Sequence, residues 1–218
     1  TVKLPESLKE IGVGVFSGCK NLKEINIPEG VETIGDRSFE NCKNLKNITL
    51  PNSVKMIDYW AFAGCKNLEN IKLSNSLETI KTNAFYGCKN LKGITLPNSL
   101  KEIGWGVFQS CESLESITLP NSLKEIGVGV FSGCKNLKEI NIPEGVKTIK
   151  DGAFLDCISL ESIALPNSLK KIGNKAFYGC KNLNITMYDT AKIIGNDNFI
   201  NCENLKLKKL KSKKSLKM

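Results

Sequence analysis

A period of 23 residues limits what this chain can fold into more than any other feature of it. The nine cysteines (Cys19, Cys42, Cys65, Cys88, Cys111, Cys134, Cys157, Cys180 and Cys202) are spaced by 23 residues seven times and by 22 once. Each of the nine phenylalanines, from Phe16 and Phe39 to Phe199, stands three residues before a cysteine. A leucine follows each cysteine by three (Leu22 to Leu205), and an isoleucine precedes each by eight (Ile11, Ile34 and on to Ile194). Four residue types do not align in nine copies by chance. Residues 7–31 and 122–146 are identical at all 25 positions, five repeats apart, which looks like a recent segmental duplication. Self-similarity at such a period marks a solenoid, in which each unit buries its apolar face against the next.

One copy shows what the unit builds. In Leu22-Lys23-Glu24-Ile25-Asn26-Ile27-Pro28 apolar and polar residues alternate, as in a short strand with one buried face. Proline ends that strand, and Pro-Glu-Gly makes a turn. Val31 to Gly35 reads as a second short extended piece, with Val31 and Ile34 inward. Ser38 to Cys42 is too short for a free-standing α-helix and is expected to form one helical or 3-10 turn. No unit can bury its inward residues alone. The predicted fold is therefore an α/β repeat solenoid of about nine repeats, mainly short parallel strands joined by short helical or 3-10 turns. Residues 1–205 are assigned to the solenoid and 206–218 to a lysine-rich C-terminal tail or end cap.

The unit L-x-x-I-x-L-P-x-S-L-x-x-I-G-x-x-x-F-x-G-C-K-N resembles a leucine-rich repeat, and specifically the 23-residue BspA-like (Treponema-type) class. The resemblance runs over residues 2–207. It implies a horseshoe-shaped solenoid. It also implies a non-enzymatic protein-binding or adhesion module, secreted or on a cell surface, that contacts host or neighbour proteins, glycans or extracellular matrix. The alternative reading is an intracellular protein–protein interaction scaffold.

Some copies depart from the pattern. Met187-Tyr188 replaces the usual Leu-Pro, one residue is lost after Cys180, and Ser74 stands where proline is expected. The last copy drifts into lysines after Leu207, as a terminal cap would, and lysines along a final strand discourage edge pairing. Val2, Leu4 and Pro5 match the strand positions of a unit already under way, so further repeats are expected upstream. An uncovered solenoid end is expected to favour self-association.

Composition narrows function further. Histidine is absent, which removes the commonest general acid–base and the Ser-His-Asp and Cys-His catalytic arrangements. Neither a glycine-rich phosphate loop nor a convergent carboxylate pair is present, and the chain is read as no enzyme and as needing no cofactor. The net charge is +9, but Lys206, Lys208, Lys209, Lys211, Lys213, Lys214 and Lys217 lie in the last 13 residues. Arg37 is the only arginine, so nucleic-acid recognition by arginine forks is not expected. No apolar run approaches the ~20 residues of a membrane-spanning helix. The cysteines lack the close C-x-x-C pairs of a zinc site, so no metal is expected. Stacked at strand spacing with parallel Cβ vectors, they are expected to stay free thiols, acting as small hydrophobes beside each phenylalanine.

In a solenoid, binding belongs to the positions that vary while the frame stays fixed. Three successive units carry aromatics: Tyr59 and Trp60 between the Ile-Gly position and the phenylalanine of the third, Tyr86 just after the phenylalanine of the fourth, and Trp105 between the Ile-Gly and the phenylalanine of the fifth. These are typical interface anchors and also stack on sugars, and they form the partner-binding candidate. The solvent face of the strands gives a second candidate, with Asn47, Thr49, Asn70, Lys72, Thr95, Ser116 and Thr118. A row of lysines after the cysteines (Lys20, Lys43, Lys66, Lys89, Lys135, Lys181) suits an acidic or sulfated partner, unless Glu69, Glu115 and Glu161 neutralise it. Asparagines two residues after most cysteines read as a backbone-bonding ladder.

Overall fold

A computed structural model describes residues 2–189, 192, 193 and 197–211, with the backbone alone at 192 and 193. They form a solenoid of parallel strands. One series of two-residue strands runs from Glu10–Ile11 and Thr33–Ile34 to Lys192–Ile193. A second series, mostly of three residues, runs from Asn47–Thr49 and Asn70–Lys72 to Ser162–Ala164 and ends in two longer strands, Asn184–Tyr188 and Lys206–Leu210. The register repeats the sequence period: Ile11 lies opposite Ile34, and Ile48 opposite Ile71. Identical side chains are therefore stacked. The phenylalanine rings make one column with centroids 5.2–6.0 Å apart and nearly parallel planes. Columns of leucine, isoleucine and cysteine fill the rest of the interior.

The expected helical turn is absent: the described residues contain neither an α-helix nor a 3-10 helix, and the segment around each phenylalanine is a run of tight turns. The residues two before and two after the phenylalanine sit in the left-handed region, as in Gly14 and Gly18, Arg37 and Asn41, or Asn83 and Gly87. A left-handed residue at every fourth position stops a right-handed helix from propagating. Amides then alternate in destination. Ser38 and Glu40 donate back to Gly35 and Arg37 (both 3.1 Å), while Phe39 and Asn41 donate to Ala61 and Ala63 of the next coil (2.8 and 2.7 Å). The helical half of the α/β expectation is thus replaced by turns.

Two further expectations are corrected. Leu22–Pro28 is not a strand, although Ile25 and Ile27 are buried as the alternation requires. As an end coil it has only one neighbour, and a single long bond from Lys46 N–H to the Lys23 carbonyl (3.4 Å) links the two there. Opposite Ile172 stands Ile193; Ile194, the residue expected from spacing, lies outside the described residues. The strand Asn184–Tyr188 is longer than the others of its series before it, and Met187-Tyr188 supplies an amide where most of them meet proline. It pairs in register with Lys206–Leu210. Residues 212–218, with Lys213, Lys214 and Lys217, lie outside the described residues.

The cysteines are free, and they do more than fill space. Each thiol from Cys42 onward donates to the carbonyl of the phenylalanine one coil earlier: Cys42 to Phe16 at 3.0 Å, Cys111 to Phe85 at 3.2 Å, Cys202 to Phe177 at 3.1 Å. The same carbonyl already accepts a turn amide, so the weak S–H donor meets its second lone pair in the core. Burial pushes these thiols up, to about 11 at Cys42 and about 12 at Cys111. Cys19, with no preceding coil, is exposed.

Beyond the end coil, two junctions are interrupted. At one, Asn70–Lys72 does not pair with Gly93–Thr95, although Thr79–Ile80 and Glu102–Ile103 beside them do pair; the other loses more. Between the coils of Phe108 and Phe131 both sheets lose their ladder: Glu102–Ile103 does not pair with Glu125–Ile126, nor Ser116–Thr118 with Glu139–Asn141. Elsewhere the two-residue series is tied by bonds such as Gly104 N–H to Ile80 O (2.8 Å) and Lys150 N–H to Ile126 O (2.9 Å). The turn side stays closed, with Phe108 N–H on Val130 O at 2.9 Å. A side-chain difference coincides with it. The buried position before the phenylalanine is alanine or serine in most coils, whereas Val107 and Val130 are stacked here. Phe108 and Phe131 stand 5.9 Å apart, against 5.2 Å for Phe39 and Phe62 and 6.0 Å for Phe177 and Phe199, where both ladders hold.

Candidate functional site

The position two residues before each phenylalanine has a left-handed backbone, and Gly14, Gly106, Gly129 and Gly152 occupy it without strain. Trp60 occupies it with φ +56°. A side chain with a Cβ costs ~1 kcal/mol or more in that conformation, and a bulky one is rare there. The indole lies half-buried on the turn side and meets the ring of Tyr86 in the next coil, with centroids 5.6 Å apart and planes at 58°. Beside this corner is a cleft of about 310 Å³, floored by Ala63, Gly64 and Gly87 and rimmed by Glu40, Asn41, Lys66, Lys89, Ser110 and Glu112. Nothing lies within 4 Å of where a Cβ on Gly87 would be.

The charges on the rim are unequal. Both carboxylate oxygens of Glu112 are engaged, by Lys89 Nζ at 2.6 Å and Lys135 Nζ at 3.2 Å, and these ammonium groups hold its carboxyl below the usual range. Glu40 lies 3.8 Å from the Arg37 guanidinium. Lys66 makes no ion pair with any described residue.

Of the four aromatic candidates, the structure brings together Trp60 and Tyr86. Tyr59 and Trp105 are exposed, in the neighbouring column of side chains, and do not line the cleft. Trp105 N–H donates to Thr82 Oγ1 at 3.3 Å, and Tyr59 N–H to Asp58 Oδ1 at 2.8 Å. The small residues that open the cleft went unread in the sequence. Their signal is the pair that follows each phenylalanine: Glu40-Asn41 and Gln109-Ser110 flank Ala63-Gly64 and Tyr86-Gly87.

Asn47, Thr49, Asn70, Lys72, Thr95, Ser116 and Thr118 all face outward on the three-residue strands. Lys72, Thr95, Ser116 and Thr118 border a shallow hollow of about 460 Å³ around Gly93. Half of the lysine row is paired, Lys89 and Lys135 with Glu112 and Lys181 with Glu203 of the same column; among the described residues Lys20, Lys43 and Lys66 make no ion pair, nor do Glu69, Glu115 or Glu161. The asparagine ladder bonds through its side chains, with Asn67 donating to Asn44 at 3.4 Å and Asn204 to Asn182 at 2.7 Å. At the N-terminal end a hollow of about 770 Å³ is lined by Val2, Phe16, Cys19 and Leu22. Among the described residues no group of histidine, cysteine or carboxylate side chains is placed to hold a metal, and no helix is long and apolar enough to cross a membrane.

BspA type leucine-rich repeat regions match residues 1–115 and 101–217, in six copies. The chain belongs to this family. Solved leucine-rich repeat structures agree. A protein from Bacteroides ovatus is 34% identical with a TM-score of 0.76, over 92% of this chain and 64% of that one. The leucine-rich repeat protein of T. pallidum is 39% identical with a TM-score of 0.69, over 74% of this chain and 78% of that one. The pneumococcal vaccine antigen PcpA is 30% identical with a TM-score of 0.63, over 94% of this chain and 60% of that one. The leucine-rich repeat chain thus spans less than two thirds of the Bacteroides and pneumococcal proteins. No curated protein matches it.

Proposed function

We propose that this chain is a non-enzymatic binding module that works at a cell surface or after secretion and attaches to a macromolecule of a host or neighbouring cell. The observation that carries this reading is the aromatic group on the turn side. Trp60, Tyr86, Tyr59 and Trp105 concentrate aromatic rings in three successive coils, where the other coils carry one aromatic at these positions, Tyr178, and Trp60 does so against its backbone preference. A fold conserving its own geometry has no need of them, whereas an interface does. That a pneumococcal relative is a vaccine antigen supports a place outside the cell.

Trp60→Gly combined with Trp105→Ala tests the reading. Immobilised chain should capture host cells or matrix proteins, and the double variant should lose at least about tenfold in affinity with its melting temperature unchanged or raised. Unaltered capture would refute it. The nine free thiols favour a second reading, an intracellular scaffold, because free cysteines persist most easily in a reducing compartment. Protease treatment of intact producing cells separates the two: a surface protein is cut and an intracellular one is spared.

A further inference from the structure

We infer that the corner between Trp60 and Tyr86 is a subsite for one acidic sugar ring, a hexose that carries a carboxylate or a sulfate. The inference rests on the binding-module reading and gives its cleft a ligand class.

Three observations point there. Trp60 is not required by the frame, since glycine takes its left-handed position in four other coils. The Tyr86 hydroxyl is not required either. Tyr178 holds the same place in a later coil, and its hydroxyl is bound by Asn201 at 2.9 Å. Ser110 replaces that asparagine opposite Tyr86, and the Tyr86 hydroxyl makes no hydrogen bond with any described residue. The two rings instead meet at 58° beside open space over Gly87. Such a corner offers aromatic faces to the apolar C–H face of a pyranose. Its volume of about 310 Å³ is at the small end of ligand sites, which run to ~300–1,000 Å³.

Charge selects among ring ligands. Glu112 is saturated by two lysines and Glu40 lies 3.8 Å from Arg37, whereas Lys66 has no ion-pair partner among the described residues. The groups without a partner include three donors: the Lys66 ammonium, the Trp60 indole N–H and the Tyr86 hydroxyl. A ligand rich in acceptors and bearing a negative charge satisfies that set. An extended acidic peptide fits less well, because the cleft is lined by turns and offers no unpaired strand edge along which a backbone would bond.

Fluorescence titration in a Trp105→Phe background leaves Trp60 as the reporting indole. The probes are tetragalacturonate, a hyaluronan tetrasaccharide and a heparin tetrasaccharide, with maltotetraose as the neutral control and tetraglutamate as the charged one. At least one acidic sugar should saturate the signal, and bind at least about tenfold tighter than either control. Lys66→Gln should remove that preference. Trp60→Gly, read by calorimetry, should abolish binding, and the circular dichroism spectrum should show the fold retained. Silence towards all three acidic sugars overturns the inference. So does equal binding of tetraglutamate or maltotetraose, or sugar binding that Trp60→Gly leaves in place. If the Trp60→Gly/Trp105→Ala double variant loses cell or matrix capture while these sugars stay silent, the module reading survives and the sugar subsite does not.

Discussion

A thiol in the interior of this solenoid serves packing and hydrogen bonding at once. Cys111 fills its column, and its S–H meets the Phe85 carbonyl one coil earlier. Burial keeps it protonated, so its folded value of about 12 lies above that of an unfolded thiol near ~8.5. The unfolded chain therefore sheds protons that the folded chain keeps. Stability is full below ~8.5 and falls as pH rises toward the folded values, by about 1.4 kcal/mol per pH unit for each buried thiol. Urea unfolding followed from neutral to alkaline pH should show midpoints that drop steeply above that point. Cys111→Ala should start about 1–2 kcal/mol less stable at neutral pH, from the lost atom and bond, and should fall with a shallower slope. A flat profile would mean that the thiols are not held as described.

At the scale of strands and turns, the junction of the fifth and sixth coils loses both ladders where Val107 and Val130 stack. Val130→Ala gives that coil the side chain found at Ala61, Ala84, Ala153 and Ala176. The variant should bring the Gly127 amide onto the Ile103 carbonyl, and hydrogen exchange at Gly127 should slow. If exchange there is unchanged, the valines are not what parts the sheets. Elements of this kind were unevenly legible. The strands follow from alternation and the period, because each needs only its own residues and a neighbour like itself. The turn after each Ile-Gly was misread as helical because spacing alone does not report backbone sign. The glycines at positions 14 and 18, replaced by Arg37 and Asn41 one coil later, left that sign ambiguous. The aromatic residues were legible as a group. Which of them touch was not, since Trp60 bypasses adjacent Tyr59 for Tyr86, 26 positions on.

For the whole molecule, the duplicated segment is a comparison built into one chain. Residues 7–31 and 122–146 have one sequence in two settings. Val15 is 58% exposed where Val130 is 2%, and Cys19 is exposed where Cys134 is buried, because only the second copy has a coil before it. Hydrogen exchange on peptides that extend into the differing flanks should find the first copy exchanging faster, although its intrinsic rates are the same. Equal protection would mean that neighbours contribute little to the stability of a coil. On the turn side, Gly14, Phe16 and Gly18 all send their amides forward to Asp36, Ser38 and Glu40, and later coils repeat this. Such a rod has a head and a tail in its very backbone. Gene duplication can splice in another unit facing the same way, as it did once here, but an inverted unit would set hydrogen against hydrogen and be expelled.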